Sequence, residues 1–403
     1  MRLPLLILCA HALTAQNFSQ RGYLETRGQF FPQTAPGDSS HAIGDALLRW
    51  EAAFKLGDSW KLNGAFDART DTHRQVERTA RLDWQDRSAM RPAFSLRRFS
   101  ATYHKGKLTA EFGKQFIRWG KADILNPTDR FAPKDYLEVI HYDFLGVLAA
   151  RATYESGRNT IDLVYTPRMT PSRSPLGNQR WVVPPAEAAS FRVIDGGTRY
   201  PGAGQFGARW NHVGSGYEFS GSFFEGFNHL PSIDLSFRGF AVEVTRTFPR
   251  LRFYGADAAV PLRWFTLKGE AGYFTSSNKQ TDEFLLYVLQ LERQQGEWSF
   301  LGGYAGEFVT KDRNPLFFAP DRGIARTFLA RAGYAIDTNR SVAVESAVRQ
   351  SGNGAYLKGE YSQAFGGHWR ATAGFVLLRG EKTDFLGQYS RNSHAVLAVR
   401  YSW

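Results

Sequence analysis

The sequence predicts an all-β fold, a transmembrane up-and-down antiparallel β-barrel of about eighteen strands, and three observations lead there. The chain ends on Ala395-Val396-Leu397-Ala398-Val399-Arg400-Tyr401-Ser402-Trp403. Ala395, Leu397, Val399, Tyr401 and Trp403 make one apolar face and Val396, Ala398, Arg400 and Ser402 the other, as in a strand between lipid and a wet lumen. Tight connections alternate with long ones along the chain, as in outer-membrane barrels with short periplasmic turns and long external loops. Residues 1–15 (MRLPLLILCAHALTA) join a basic start to an apolar stretch too short to span a bilayer, with a small residue before Gln16. That is the pattern of a cleaved signal peptide, which leaves 16–403 as one barrel domain in the cell outer membrane.

The elements follow in order from two-residue alternation between turn-formers. The first hairpin takes about 19–31 and 43–56. Trp60, Leu62, Gly64, Phe66 and Ala68 then oppose Lys61, Asn63, Ala65, Asp67 and Arg69. Leu148, Ala150, Ala152 and Tyr154 oppose Arg151, Thr153 and Glu155, and Trp369, Ala371, Ala373, Phe375 and Leu377 oppose Arg370 and Thr372. Tight turns are expected at 56–59, 104–107, 156–159, 213–216, 261–263, 294–297, 337–340 and 365–368. Long loops are expected at 32–42, 70–92, 117–145 and 169–203. Gly57 and Gly214 thereby fall in periplasmic turns, Arg74 and Ser174 in external loops. Sixteen strands is the alternative count, because 237–248 reads as an outer hairpin or as a further strand. Few residues precede the first strand, so no plug domain is expected. Eighteen strands enclose room for an aqueous channel, whereas eight are filled by side chains.

Aromatic residues are 15% of the chain and recur near strand ends, where Tyr and Trp anchor at the lipid–water boundary. Tyr401 and Trp403 are the expected membrane anchors and assembly signal. Cys9 falls in the leader, so the mature chain has no thiol for a disulfide or metal. The formal charge of +12 is scattered along strands and loops of an exported chain, which speaks against nucleic acid as a partner. Lipid head groups or an anion-favouring lumen account for it better. The expected partners are outer-membrane lipid and lipopolysaccharide, the barrel-assembly machinery and, for an export outlet, an inner-membrane exporter.

Gly202-Ala203-Gly204-Gln205-Phe206-Gly207 matches a dinucleotide-binding pattern by letter. It lacks the preceding strand and following helix that the chemistry needs, and a Pro-rich loop leads instead into the alternation of Phe206, Ala208 and Trp210. The nine histidines include no pair at metal-ligand spacing, and Gly-x-Ser-x-Gly is absent. No cofactor is expected, and enzymatic activity ranks behind transport.

Two segments break the alternation. In Lys114 to Asp135, charged residues alternate with turn-formers. A loop of this length is functional or disordered, and Trp119, Ile124, Leu125 and Phe131 are too apolar for disorder. Loop 117–145 either folds into the barrel as a constriction, with Arg118, Lys121, Asp123, Asp129, Arg130, Lys134 and Asp135 as a lumen charge network, or forms an external lid. Asp123, Asp129 and Asp135 have the chemistry for calcium, but the nearby bases favour ion pairing. The second segment, Val164 to Leu176 with Gln179-Arg180-Trp181, leaves a strand through repeated prolines. Its Arg168, Arg173 and Arg180 are candidates for a pore-mouth row that attracts carboxylate, phosphate or sulfate. Solvated arginines on a rigid loop are the plainer alternative.

Gly113-Lys114-Gln115 with Trp119-Gly120, Asn126-Pro127 and Asp129, followed by Val164-Tyr165-Thr166-Pro167, resembles a bacterial outer-membrane porin-like barrel family of uncertain function. That family is broadly similar to alginate-export and phosphate-selective porin barrels. The resemblance covers most of the mature chain as architecture and these two stretches as motif. It implies passage of a solute across the outer membrane without naming the solute. The expected function is an outer-membrane channel for small, preferentially anionic solutes, with ion transport, narrowed by loop 117–145. An outlet for polysaccharide or lipid export, or an outer-membrane barrel enzyme, is the alternative.

Overall fold

The computed structural model describes residues 17–123, 125–183, 192–239, 241–277, 279–314, 316 and 318–403; the leader at 1–15 lies outside them. Alternating segments become strands because each can bury one face and expose the other. Eighteen of them form the wall: β1 Phe18–Phe30, β2 Ala42–Leu56, β3 Trp60–Asp71, β4 Phe94–Lys105, β5 Leu108–Gln115, β6 Val147–Ser156, β7 Asn159–Thr166, β8 Gln205–Val213 and β9 Glu218–Phe227. The second half comprises β10 Arg250–Pro261, β11 Thr266–Thr275, β12 Glu283–Gln295, β13 Trp298–Lys311, β14 Thr327–Ala335, β15 Arg340–Arg349, β16 Gly354–Phe365, β17 Trp369–Gly380 and β18 His394–Ser402. Each pairs antiparallel with its neighbour in sequence. β1 pairs with both β2 and β18, Tyr23 facing Ser402 and Phe30 facing Ala395. The wall is therefore closed and offers no unpaired edge, the condition for strands to stand in lipid.

All eight tight connections fall where the alternation put them, at one end of the barrel, and the long ones gather at the other. The 350–353 link between β15 and β16 is short although it lies at the long-loop end. Ser232–Arg238 and Ala241–Thr247 form a hairpin outside the wall and join Arg192–Arg199 in a separate three-stranded sheet. The ambiguous 237–248 stretch is thus an outer hairpin, and eighteen wall strands are reached without it.

Outside, Leu24, Leu48, Leu62, Phe112, Ile161, Leu289, Val344, Leu357 and Leu397 are exposed, a band of the kind that faces hydrocarbon. Trp60, Trp264, Trp298, Trp369 and Trp403 are exposed at the tight-turn end, as an interfacial aromatic girdle requires. Trp403 also closes the ring. Its backbone exchanges two hydrogen bonds with Gly22, 3.2 and 3.1 Å, and its indole lies where a side chain on Gly22 would stand.

One irregularity re-aims charge. The β3–β4 register slips between Ala65 and Phe66, leaving Arg97 as an extra residue in β4. A bulge turns neighbouring side chains to the same face. Arg97 reaches Asp143 at 2.7 Å while Arg98 reaches Glu111 at 2.8 Å, so both arginines point inward where simple alternation admits only Arg98. The helical pieces described are short, α1 Pro320–Gly323 and a 3-10 turn at Gly387–Asn392. Among the described residues no helix is long and apolar enough to cross a membrane.

Candidate functional site

The 116–146 connection between β5 and β6 packs onto inward-facing side chains of the wall. Trp119, Leu125 and Phe131 are buried in one apolar cluster with Val164, Phe224, Phe253 and Phe274; Ile124 lies outside the described residues. Phe131 meets Trp119 and Phe224 edge-on at 5.3 and 5.1 Å. Gly207 of β8 makes room for them, since a Cβ there would stand 2.5 Å from the Phe131 ring and 2.9 Å from Trp119. That requirement accounts for one glycine of the rejected dinucleotide pattern.

Polar anchors hold the segment's first half. Asp129 accepts from the backbone N–H groups of Trp119 and Gly120 at 2.6 and 2.7 Å and from Arg118 Nε at 3.1 Å. Glu270 of β11 accepts from the backbone of Lys121, Ala122 and Thr128 at 3.0, 3.2 and 2.8 Å and from the Thr128 hydroxyl at 2.7 Å. The Trp119 indole N–H donates to Asp162 of β7 at 2.9 Å, which Arg151 holds at 2.7 Å. Lys121 pairs with Asp257 of β10 at 2.9 Å and Glu218 of β9 at 2.8 Å. Asp123 pairs with Lys268 of β11 at 3.3 Å and accepts from Gln290 of β12 at 2.7 Å.

The second half faces the other side of the barrel. Lys134 and the Tyr136 hydroxyl both reach Asp321 of α1, at 3.0 and 3.1 Å. Asp135 joins Arg91 at 2.9 Å and Arg173 at 3.0 Å, and Arg173 continues to Asp86 at 2.8 Å. Glu138 pairs with Arg27 of β1 at 2.6 Å. Asp143 and Asp67 share the cluster of Arg49, Arg69 and Arg97. Among the described residues no carboxylate is in contact with Arg130; its guanidinium lies 4.9 Å from the Phe274 ring centroid and 5.6 Å from that of Phe253.

The seven expected network residues are therefore all on one segment, but they bind mostly to the wall and to other loops rather than to one another; Arg118–Asp129 is the one pair between two of them among the described residues. Asp123, Asp129 and Asp135 go to separate bases, and among the described residues no acidic or imidazole cluster has metal-binding geometry. Of the three arginines expected at a pore mouth, only Arg168 is exposed. Arg173 is buried in its two ion pairs, and Arg180 is buried over the Phe31 ring at 3.6 Å with Asp38 at 3.6 Å. Both side chains are buried, so the row expected along the rim is not formed by these two. Glu270, Glu138, Asp257 and Asp321, acids in contact with the segment's donors or with wall cations, lie outside the two segments that break the alternation or, for Glu138, beyond the charged stretch of the first. The available signal for Asp257 and Glu270 is an acid on the inward parity of an otherwise small or apolar strand.

Asp86, Asp135 and Glu138 lie in connections outside the wall strands. Burial pushes their carboxyls up, but the facing cations outweigh it and hold all three below the usual carboxylate range: Arg173 and Lys114 for Asp86, Arg91 and Arg173 for Asp135, Arg27 first for Glu138. A depressed carboxyl contributes stability above its unfolded value of about 4 and loses it as pH falls through the folded value. The segment should resist pepsin at about pH 4 and be cut near pH 2, with the loss following protonation of these groups. Cutting within 116–146 already at pH 5 would refute that role.

No protein-family model matches the chain, and no curated protein does. Its fold is shared with solved porins. Over 96% of this chain and 99% of the other, it superposes on Acinetobacter baumannii OccAB4 with a TM-score of 0.57 at 10% identity. A BenF-like porin from Pseudomonas fluorescens Pf-5 gives 0.56 at 9% identity over 96% and 97%. Pseudomonas aeruginosa OpdQ gives 0.52 at 9% over 96% and 98%. At such identities the likeness is one of architecture: a porin-like barrel over nearly the whole chain. The narrower similarity to alginate-export and phosphate-selective barrels rests on the two sequence stretches alone.

Proposed function

We propose that this protein is an outer-membrane channel for small solutes, narrowed by loop 117–145 and mildly favouring anions. The observation that carries the reading is the anchoring of that segment across the barrel interior, from Glu270 and Asp257 on one side to Arg27 on the other. A passage that remains beside it is smaller than the eighteen-stranded wall alone would leave. The anion preference draws on the pairing pattern. Where a wall or loop arginine meets an acid, the guanidinium is often the more exposed member, as in Arg118 at 45% against Asp129 at 1%. Asp123 and Asp143 reverse that order, which keeps the preference mild. The leader, the lipid and lipopolysaccharide contacts and delivery by barrel-assembly machinery belong to the same reading.

Purified protein in a planar bilayer should give ohmic current steps, with a reversal potential in a salt gradient displaced toward the anion. Arg118, Lys121 and Arg130 changed together to Gln should move it toward the cation. Arg74, Arg78 and Arg81 changed to Gln should do much less, because charges in the outer loop are screened over roughly 8 Å at physiological salt. Equal shifts from both triple variants would remove the segment from the conduction path. Orientation is checked separately with single cysteines at Gly57 and Arg74 and an impermeant label on intact cells. Arg74 should react and Gly57 should not; the reverse would turn the barrel over.

A further inference from the structure

Between the 116–146 segment and the inward face of β13–β16 lies a cavity of about 280 Å³, roughly nine water volumes at ~30 Å³ each. It sits apart from the Glu270 and Asp129 anchors. Most of its lining is apolar, including Val139, Ile140, Ile324, Leu329, Phe385 and Leu386. Four charged side chains join that lining: Asp123 and Asp321, held by Lys268 and Lys134, and Arg331 of β14 and Glu345 of β15, which stand directly opposite each other across the strand pair. Directly opposed residues have Cβ atoms roughly 4.5–5.5 Å apart, yet these two form no ion pair, and neither has one elsewhere among the described residues. Most lumen cations near the segment are committed: Lys134 to Asp321, Lys268 to Asp123 and Glu292. Tyr356, opposite Ala347 on β16, adds a hydroxyl with no hydrogen-bond partner among the described residues.

An apolar cavity with a few convergent polar groups is the form of a small-molecule site. We propose that it binds small amphipathic zwitterions, the chemistry of an α-amino acid with an aromatic or branched apolar side chain. The carboxylate pairs with Arg331, which offers a planar fork of donors, the ammonium pairs with Glu345, and the apolar body lies against Ile324, Leu329 and Phe385. Adjacent charges of opposite sign on the solute match adjacent charges of opposite sign on neighbouring strands. A singly charged solute forgoes one of the two charge-assisted contacts, which costs binding. This inference deepens the channel reading and rests on it for the route by which solute arrives.

The test uses the full protein in a planar bilayer, with L-phenylalanine, 3-phenylpropionate, phenethylamine and glycine added in turn. Phenylalanine should interrupt the current at a half-blocking concentration roughly tenfold or more below those of the three analogues, each of which lacks one charge or the apolar body. Arg331→Gln and Glu345→Gln should each raise that concentration roughly tenfold. Ala347→Trp, which fills the cavity and keeps both charged residues, should abolish the block and supplies the answer if a charge variant fails to assemble. Equal blocking by all four compounds, or block insensitive to all three variants, overturns the site while the ohmic steps leave the channel reading standing. If no current steps form, the channel reading fails, and calorimetric titration of the detergent-solubilised protein with phenylalanine decides the site by itself. Binding lost in Arg331→Gln supports it, and no binding to the wild type overturns it.

Discussion

Replacing Glu270 with Ala should free the first half of the 116–146 segment and raise single-channel conductance several-fold. This carboxylate receives three backbone N–H groups and one hydroxyl from the segment. Hydrogen bonds to a charged group contribute about 1.5–3 kcal/mol each, and donors left buried without an acceptor cost more than the bonds themselves were worth. No other strand residue described here takes as many donors from the segment's backbone. Glu270→Gln keeps one acceptor oxygen and should give an intermediate conductance. Glu155→Ala, on the inward parity of β6 but away from the segment, should change little. Trypsin supplies a second readout, because release would expose Arg118, Lys121 and Arg130 to cleavage. Unchanged conductance together with a trypsin-resistant segment in Glu270→Ala would show that the apolar seat at Gly207 and Phe253 holds the segment without help.

Deleting Trp403 should leave protein that does not assemble and is degraded before reaching the membrane. The residue directly follows β18, the strand that closes against β1, and three features concentrate on it. It makes two backbone hydrogen bonds to Gly22, its ring covers Gly22 and stacks near Tyr401 at 6.2 Å, and it belongs to the exposed girdle of the tight-turn end. Removing it strips the closing pair at the point where sheet edges must meet. Trp403→Phe keeps an aromatic ring at the boundary and should assemble, though its barrel should unfold at lower temperature in a heat-modifiability gel. Gly22→Leu should act on the same contact from the other side, since its Cβ would stand 2.4 Å from the Trp403 ring, and overpacking of this kind costs about 1–3 kcal/mol. Heat-modifiable barrel at normal yield after deletion of Trp403 would count against the terminal strand as an assembly signal.

Architecture was largely legible because it depends on short-range pattern. A strand's faces alternate with period two, so residues 60–69 or 369–377 declare which side is apolar without knowledge of their partners. The tight turns declare themselves through glycine, asparagine and aspartate at fixed offsets. Those two signals together yield strand number and parity. Arg97 escaped them because a bulge adds one residue without a mark in the sequence, and its partner Asp143 is 46 residues away.

The site was legible in part. That Trp119, Leu125 and Phe131 must pack somewhere follows from their composition, but where they pack does not. Their seat is made by Gly207 on β8, Phe224 on β9 and Phe253 on β10, residues brought to one side of the lumen only when the wall closes. The same holds for charge. Arg173 and Arg180 read as rim cations because prolines and arginines on a loop are ordinarily solvated, and nothing near them in sequence supplies Asp86, Asp135 or Asp38.

By itself, then, the sequence determined a wall: alternation sets each residue's face, and the alternation of short and long links sets which end it lies near. Only the tertiary structure decided what fills the wall. An inward side chain takes its partner from across the lumen, and that pairing depends on barrel closure and the path of a long connection, neither of which is encoded within the few residues over which a sequence pattern can be read.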